Sequence, residues 1–287
     1  MRWQTASGID HLKLVTRLSQ RIRSEHPTAG VWEAADFQWW WRVERESDAH
    51  DQQFLTDADG DPIGAAVLTR WPRTWGYDIL ALPSRAEELT PALITESVDR
   101  IEGLSSEGVE AAIRHDDPTL RRHLTQAGFE ETEAQGAATW LNLEERPRPT
   151  AAPDGYHLRD RTDRENRSHH FIPRSTENVE QRLRQTSLYD PRLDLFIESA
   201  DGAVVAYALF WFDAATGTGL IEPLRTEEGH ERRGLATHLI TAGLDRLAQF
   251  GAHRAKVNYE VGNEASEHLY LGMGFEVEST STLYVHR

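Results

Sequence analysis

Along this chain apolar and polar positions follow two periods, and the switch between them occurs twice in the same order. Phe54 to Leu68 (FLTDADGDPIGAAVL) and Phe196 to Phe210 (FIESADGAVVAYALF) each read as an apolar run, an Asp-Gly turn and a second apolar run. That is the pattern of a β-hairpin. Further on, His123–Glu130 (HLTQAGFE) matches Leu269–Glu276 (LYLGMGFE); the Gly-Phe pairs lie 146 residues apart and the Asp-Gly pairs 142. Two landmarks at nearly one offset point to an internal duplication. In the second half, Leu235, Leu239, Ile240, Leu244 and Leu247 recur near helical spacing and predict a helix over Gly234–Phe250. Strands are predicted around Gly219–Leu224, Ala255–Tyr259 and Leu283–Val285, with a short helix over Glu264–Leu271. Strands alternating with helices predict an α/β layered fold. Glu145 to Gly155 (ERPRPTAAPDG) has three prolines and neither period. The expected organisation is a domain over 1–146, a linker over 147–154 and a domain over 155–287.

Composition narrows the chemistry. The 287 residues carry a formal net charge of −16 and include no cysteine. Disulfide scaffolds, thiolate metal sites and cysteine nucleophiles are thereby excluded. The acidic balance argues against nucleic acid, which needs a local excess of Lys and Arg. No apolar run reaches the roughly 18–20 residues that span a bilayer, and the amino terminus lacks a secretory apolar stretch, so a cytoplasmic protein without membrane contact is expected. Lys13 and Lys256 are the only lysines; this fits a high-salt cytoplasm or a GC-rich genome equally. Residues 1–147 carry a net −11 and residues 148–287 a net −5, which makes the second half the better home for an anionic ligand.

The stretch Leu220–Ala236 (LIEPLRTEEGHERRGLA) places a strand, a charged loop and a helix start in succession. A helix amino terminus presents unpaired N–H groups and partial positive charge, and a glycine there lets a phosphate approach. Arg232, Arg233 and Gly234 occupy that turn, with Leu235, Ala236 and Thr237 opening the helix. An ordinary loop bearing a solvated charge run is the competing reading of these residues alone.

This segment resembles motif A of the GNAT acyltransferase superfamily, whose loop reads Arg/Gln-x-x-Gly-x-Gly/Ala. Asn263-Glu264-Ala265 and Leu269-Tyr270-x-x-x-Gly274-Phe275 resemble the family's motif B, 29 residues after Gly234. The resemblance covers residues 155–287 well and 1–146 in outline, and the two-lobed layout resembles the tandem GNAT proteins that include mycothiol synthase. It departs from the pattern at Glu231, which stands in the Arg/Gln slot. The resemblance implies an α/β (α+β layered) chain of two tandem acyl-CoA N-acyltransferase-like domains, each a mixed central sheet flanked by helices, and acetyl-CoA as co-substrate, with no metal. It implies transfer of an acetyl group to the amine of a small molecule. It places the cofactor along Leu224, Arg225, Thr226, Glu231, Arg232, Arg233, Gly234, Leu235, Ala236 and Thr237. Backbone N–H groups around Leu224–Thr226 would serve the oxyanion. Tyr270 is the candidate proton donor to the leaving thiolate and Glu222 the candidate base. Asn263 is expected either to touch the cofactor or to cap the short helix. The alternatives are a non-catalytic coenzyme A-binding or scaffold protein of the same fold, and an aminoacyl transfer enzyme using charged tRNA, which the net charge disfavours.

The first half differs. By the 146-residue offset, Leu124 matches Tyr270 and Asp117 matches Asn263, and LPSRAEELTPALI stands where the phosphate loop belongs. A helix start with Glu87 and Glu88 and no glycine would repel a pyrophosphate, so this domain is expected to support rather than bind cofactor. Trp32, Phe37, Trp39, Trp40, Trp41, Trp71 and Trp75 are expected to pack in the core and between the lobes, the alternative being an aromatic wall for an apolar or cationic acceptor, and His169-His170 to lie in a solvated loop. The chain is expected to be a monomer with an internal pseudo-dimer, or a homodimer.

Overall fold

The computed structural model describes residues 1–104, 108–164 and 167–287. In chain order the first half forms β1 (Arg2–Ala6), α1 (Gly8–Glu25), α2 (Ala34–Trp40), β2 (Gln52–Thr56), β3 (Pro62–Arg70), β4 (Trp75–Ala81), α3 (Ala86–Leu104), β5 (Val109–Arg114), α4 (Pro118–Gln126) and β6 (Glu130–Asn142). The second forms β7 (Tyr156–Asp160), α5 (Val179–Leu183), β8 (Asp194–Ser199), β9 (Val204–Asp213), β10 (Thr218–Thr226), α6 (Leu235–Phe250), β11 (Arg254–Glu260), α7 (Glu264–Gly272) and β12 (Glu276–His286). Both predicted hairpins are present, as β2–β3 and β8–β9. No helix among the described residues is long and apolar enough to cross a membrane.

Contacts divide the chain into two compact units. One comprises Met1–Phe37, Glu44–Ala138 and Glu278–Arg287; the other comprises Gln38–Val43 and Thr139–Val277. They differ from the sequential halves 1–146 and 155–287 in three segments. The last strand joins the first unit, because Ser281–His286 pair antiparallel with Val109–Arg114 of β5. Thr139–Arg146, and with them the end of β6, fall in the second unit, as does the segment Gln38–Val43. Ladder partners are set by which strand edge is open, and the edge of β5 is filled by β12.

In the first unit the strands run in the order β1-β2-β3-β4-β5-β12. Neighbours are antiparallel except β4 and β5, which are parallel. α1 is helical because Leu12, Val15, Ser19 and Ile22 fall on one face, and that face is buried. Leu89, Leu93 and Ile101 do the same for α3. In the second unit the order is β11-β10-β9-β8-β7, with β10 and β11 the parallel pair.

α6 covers the second unit's sheet through Leu235, Leu239, Ile240, Leu244 and Leu247, all buried. The fit is close at Gly243, where an added Cβ would come within 2.0 Å of the Phe210 ring. Glycine there is a packing requirement. The proline-rich segment is irregular, as read from sequence, yet it is tied to α6. Arg146 Nη2 donates to Asp245 at 2.9 Å, and Thr150 N donates to Thr241 Oγ1 at 3.2 Å.

Candidate functional site

In the second unit, β10 and β11 are hydrogen-bonded only over Thr218–Leu220 and Arg254–Lys256. β10 continues to Thr226 and β11 to Glu260 without pairing further with each other. The register of β10 against β9 also shifts between Ile221 and Leu224, across the cis Glu222-Pro223 peptide. Past the shift, Leu224, Arg225 and Thr226 pair with β9 on one edge. Among the described residues their other edge has no ladder partner, so backbone N–H groups there remain available to a ligand. This is the place expected for oxyanion contacts.

The turn into α6 carries the strongest feature. Gly234 caps the helix in the left-handed region, φ +79°, and Arg232 also has positive φ, +56°. Alternation of this kind curls successive N–H groups toward one side and makes an anion-binding concavity. Among the described residues, no acceptor takes the N–H groups of Arg232, Arg233, Gly234, Leu235, Ala236 or Thr237; the first helical bond is His238 N to Gly234 O at 2.9 Å. A Cβ placed on Gly234 would meet nothing within 4 Å. The turn is therefore open, and side chains do not plug it. Glu231 is engaged elsewhere: its Oε2 accepts Gly229 N–H at 2.8 Å. Arg233 donates to Tyr156 Oη and to Gly229 O, both at 3.0 Å. Arg225 pairs with Glu227, which also holds Arg174 through two bonds of 2.7 and 2.6 Å. Six open N–H groups at a helix head, with Arg232 exposed beside them, fit a diphosphate.

Near the split in the strands, Tyr270 lies within reach of the Glu222 charge. Loss of water raises the Glu222 carboxyl above its ordinary value, opposed by the charge of Arg42 and by a hydrogen bond with Trp39. Trp211 Nε1 donates to the Glu222 carbonyl at 2.8 Å, fixing the backbone at the bulge. Tyr270 is 6% exposed, and its hydroxyl is raised by burial first and by the Glu222 charge second. Tyr270 packs on Tyr259 and Phe275, at ring separations of 6.3 and 6.0 Å. The pair thus combines a carboxyl that titrates higher than usual with a hydroxyl that stays protonated at neutral pH. Asn263 takes the capping role: its Oδ1 accepts Ser266 N–H at 3.1 Å at the head of α7.

Several residues here were not legible as site residues. Trp39 and Arg42 reach Glu222 from a segment far upstream, with the Arg42 guanidinium 3.6 Å over the Trp39 ring. Trp39 is buried, as expected, but as part of the second unit, 5.1 Å from the Phe171 ring.

The expectation for His169-His170 is corrected. His169 is 2% exposed, and both imidazoles lie against the fully buried Asp194, each with Nε2 3.1 Å from a carboxylate oxygen. Tyr189 Oη donates to the same carboxylate at 2.9 Å. Burial works to raise Asp194, but the two imidazoles outweigh it and hold the carboxyl well below the usual range. The three groups lie close enough to share a cation, their ligand atoms all within 4.8 Å. A buried carboxylate also demands such partners on its own account.

Residues 153–275 match the Acetyltransferase (GNAT) family. The chain is 25% identical over 240 residues to the mycothiol acetyltransferase of Clavibacter michiganensis subsp. michiganensis, covering 79% of this chain and 77% of that one. A tandem GNAT protein from the clavulanic acid biosynthesis pathway shares the fold with a TM-score of 0.71 at 15% identity, covering 99% of this chain and 97% of the other. A GCN5-related N-acetyltransferase from Sphaerobacter thermophilus does so with a TM-score of 0.63 at 17% identity, covering 99% and 95%. Residues 153–275 are thus a GNAT domain, and the chain as a whole shares the fold of a tandem GNAT protein.

The first unit has the same split strands with a different entrance. β4 and β5 pair only at Trp75–Gly76 and Val109–Glu110. The helix that follows β4, α3, has no glycine turn. Glu87 in its first turn accepts the Thr119 hydroxyl of α4 and lies 3.4 Å from Arg122. A carboxylate therefore stands at the helix head, as the sequence implied. Asp117 caps α4 as Asn263 caps α7, accepting Leu120 N–H at 2.9 Å. Leu124, in the place of Tyr270, is fully buried.

Proposed function

We propose that the second unit is an acyl-coenzyme A dependent N-acyltransferase that moves an acetyl group from acetyl-coenzyme A to the amine of a small molecule, with the first unit in a supporting role. The observation that carries this reading is the open row of N–H groups from Arg232 to Thr237 at the head of α6. The family match over residues 153–275 supports it.

Acetyl-coenzyme A, when bound, supplies a thioester carbonyl. The turn Arg232–Thr237 would hold its diphosphate, and the free edge of β10 over Leu224–Thr226 would receive the carbonyl oxygen as negative charge develops there. Glu222 takes a proton from the acceptor's ammonium, directly or through water, so that nitrogen attacks with its lone pair free. Its carboxyl, raised by loss of water, holds a proton more tightly than an exposed glutamate and so is the stronger base. As the C–S bond breaks, Tyr270 donates its hydroxyl proton to the departing sulfur, and the proton shed by the newly acylated nitrogen restores the hydroxyl. Because a neighbouring negative charge resists loss of that proton until sulfur carries charge, the tyrosine remains a ready donor.

The test is calorimetry with acetyl-coenzyme A, followed by an amine screen read out as free thiol. One site per chain, thiol release with at least one amine, and a fall in rate in Tyr270→Phe are expected. Two equivalent sites, or no binding at all, overturn the reading. Binding without turnover against any amine supports a coenzyme A-binding protein instead.

A further inference from the structure

The first unit encloses a cavity of about 450 Å³ between β4, β5 and the heads of α3 and α4. Its size is that of a small-molecule pocket. Trp32, Ile79, Leu120 and Leu124 supply apolar wall. The charged lining is one-sided, with Asp78, Glu87, Asp116 and Asp117 set against Arg114 and His26. Arg114 is already neutralised, since its Nε and Nη2 donate to Asp116 at 2.8 and 2.6 Å. Asp117 is occupied as the cap of α4. Asp78, half-buried in the wall, has no such partner. Its Oδ1 accepts the Trp32 indole N–H at 2.7 Å, and no basic side chain among the described residues pairs with it. Loss of water pushes its carboxyl up to about 7, and the Trp32 bond opposes this only in part. A desolvated carboxyl with one hydrogen bond, lining a ligand-sized space, lacks a cation. The carboxylate of Glu87 at the helix head disfavours an anionic occupant.

We infer that this cavity binds a small organic ammonium with an apolar body, its charged nitrogen paired with Asp78 and its body packed against Trp32 and Leu124. The site is distinct from the turn at Gly234, and it stands or falls independently of acetyl transfer in the second unit. Occupancy would place a positive charge beside Asp78 and keep that carboxyl ionised.

The test is calorimetry on the full chain at mildly alkaline pH with three probes: 2-phenylethylamine, the uncharged 2-phenylethanol and the anion phenylacetate. The amine is expected to bind one site at least about tenfold more tightly than the alcohol, with no binding of phenylacetate. Asp78→Asn keeps an acceptor for Trp32 and so retains the fold, checked by an unchanged circular dichroism spectrum. It should cost the amine at least about tenfold in affinity and leave the alcohol unchanged. Ala112→Phe, which fills the cavity from β5, should abolish binding of both. No amine binding up to about 10 mM, equal affinities for amine and alcohol, or full amine affinity in Asp78→Asn would each overturn the inference. So would displacement of the amine by coenzyme A, which would make the cavity part of a thioester-carrier site.

Discussion

Removing the charge of Asp78 should change how stability depends on pH, and the magnitude follows from its surroundings. An aspartate in the unfolded chain titrates at 3.8, and desolvation raises Asp78 to about 7. The sign follows from where the proton is held more tightly. The folded protein binds it better, so Asp78 contributes stability that is full below pH 3.8, declines as pH rises, and is lost above about 7. A tenfold difference in proton affinity between the two states corresponds to about 1.4 kcal/mol. The whole contribution is then at most about 4 kcal/mol, less where water in the cavity screens the charge. About 2 kcal/mol of this falls between pH 5 and 7, a window that avoids acid unfolding. Asp78→Asn has nothing to titrate and retains a carbonyl for the Trp32 N–H. Urea unfolding of both proteins at several pH values isolates the effect, because every other ionisable group is common to the two. The difference in unfolding free energy should move steadily in favour of the variant from pH 5 to 7 and level off above about 7.5. A difference that stays constant with pH would show that Asp78 titrates as it does in water and lacks no cation.

Three further outcomes are expected. Gly234→Glu should weaken acetyl-coenzyme A by at least about tenfold in calorimetry, because it puts a carboxylate beside the open N–H groups; the space around Gly234 is open, so the cost to stability should stay near about 1 kcal/mol from the left-handed backbone. Gly243→Ala should destabilise by about 1–3 kcal/mol in urea unfolding, since its Cβ would meet the Phe210 ring at 2.0 Å; an unchanged midpoint would mean that α6 sits off the sheet. If an acceptor is found, Glu222→Gln should lower kcat by about 10²-fold and flatten the limb of the pH–rate profile that rises as the carboxyl loses its proton; a limb that persists would assign the base elsewhere.

What could be read from the sequence was whatever depends on residues close together in it. The helical period of Leu235–Leu247, the Asp-Gly hairpins and the glycine at the head of α6 are local signals, and each element lies where its pattern placed it. Glu222 and Tyr270, whose hydroxyl feels the Glu222 charge, were each singled out from neighbouring motifs of one domain. What escaped depends on contacts across long separations. His169-His170 read as solvated because their burial is set by Asp194, 24 residues downstream of the second histidine on β8. Trp39 and Arg42 could not be assigned to Glu222, about 180 residues on, by any periodicity. The final strand looked like the last piece of its own half, because nothing in ESTSTLYVHR names β5 as its partner.

The duplication makes the two split-strand sites informative about each other. Asp78 and Glu222 are 144 residues apart, close to the repeat offset, and each lies on the strand that parts from its parallel neighbour. Each is a carboxyl raised by desolvation and bonded to a tryptophan, Trp32 in one unit and Trp39 in the other. That shared device follows from the scaffold, because a split between parallel strands creates interior space and a polar side chain facing it loses water. The difference lies in what surrounds the device. The second unit adds an open glycine turn and the Tyr270 hydroxyl; the first has Glu87 at its helix head and Leu124 in the hydroxyl's place. A desolvated carboxyl beside anion-binding N–H groups and a proton donor is equipped for transfer chemistry. The same carboxyl behind a carboxylate-guarded entrance, with no donor, is equipped only to hold a cation. The helix entry, more than the sheet, therefore decides which chemistry each unit can support.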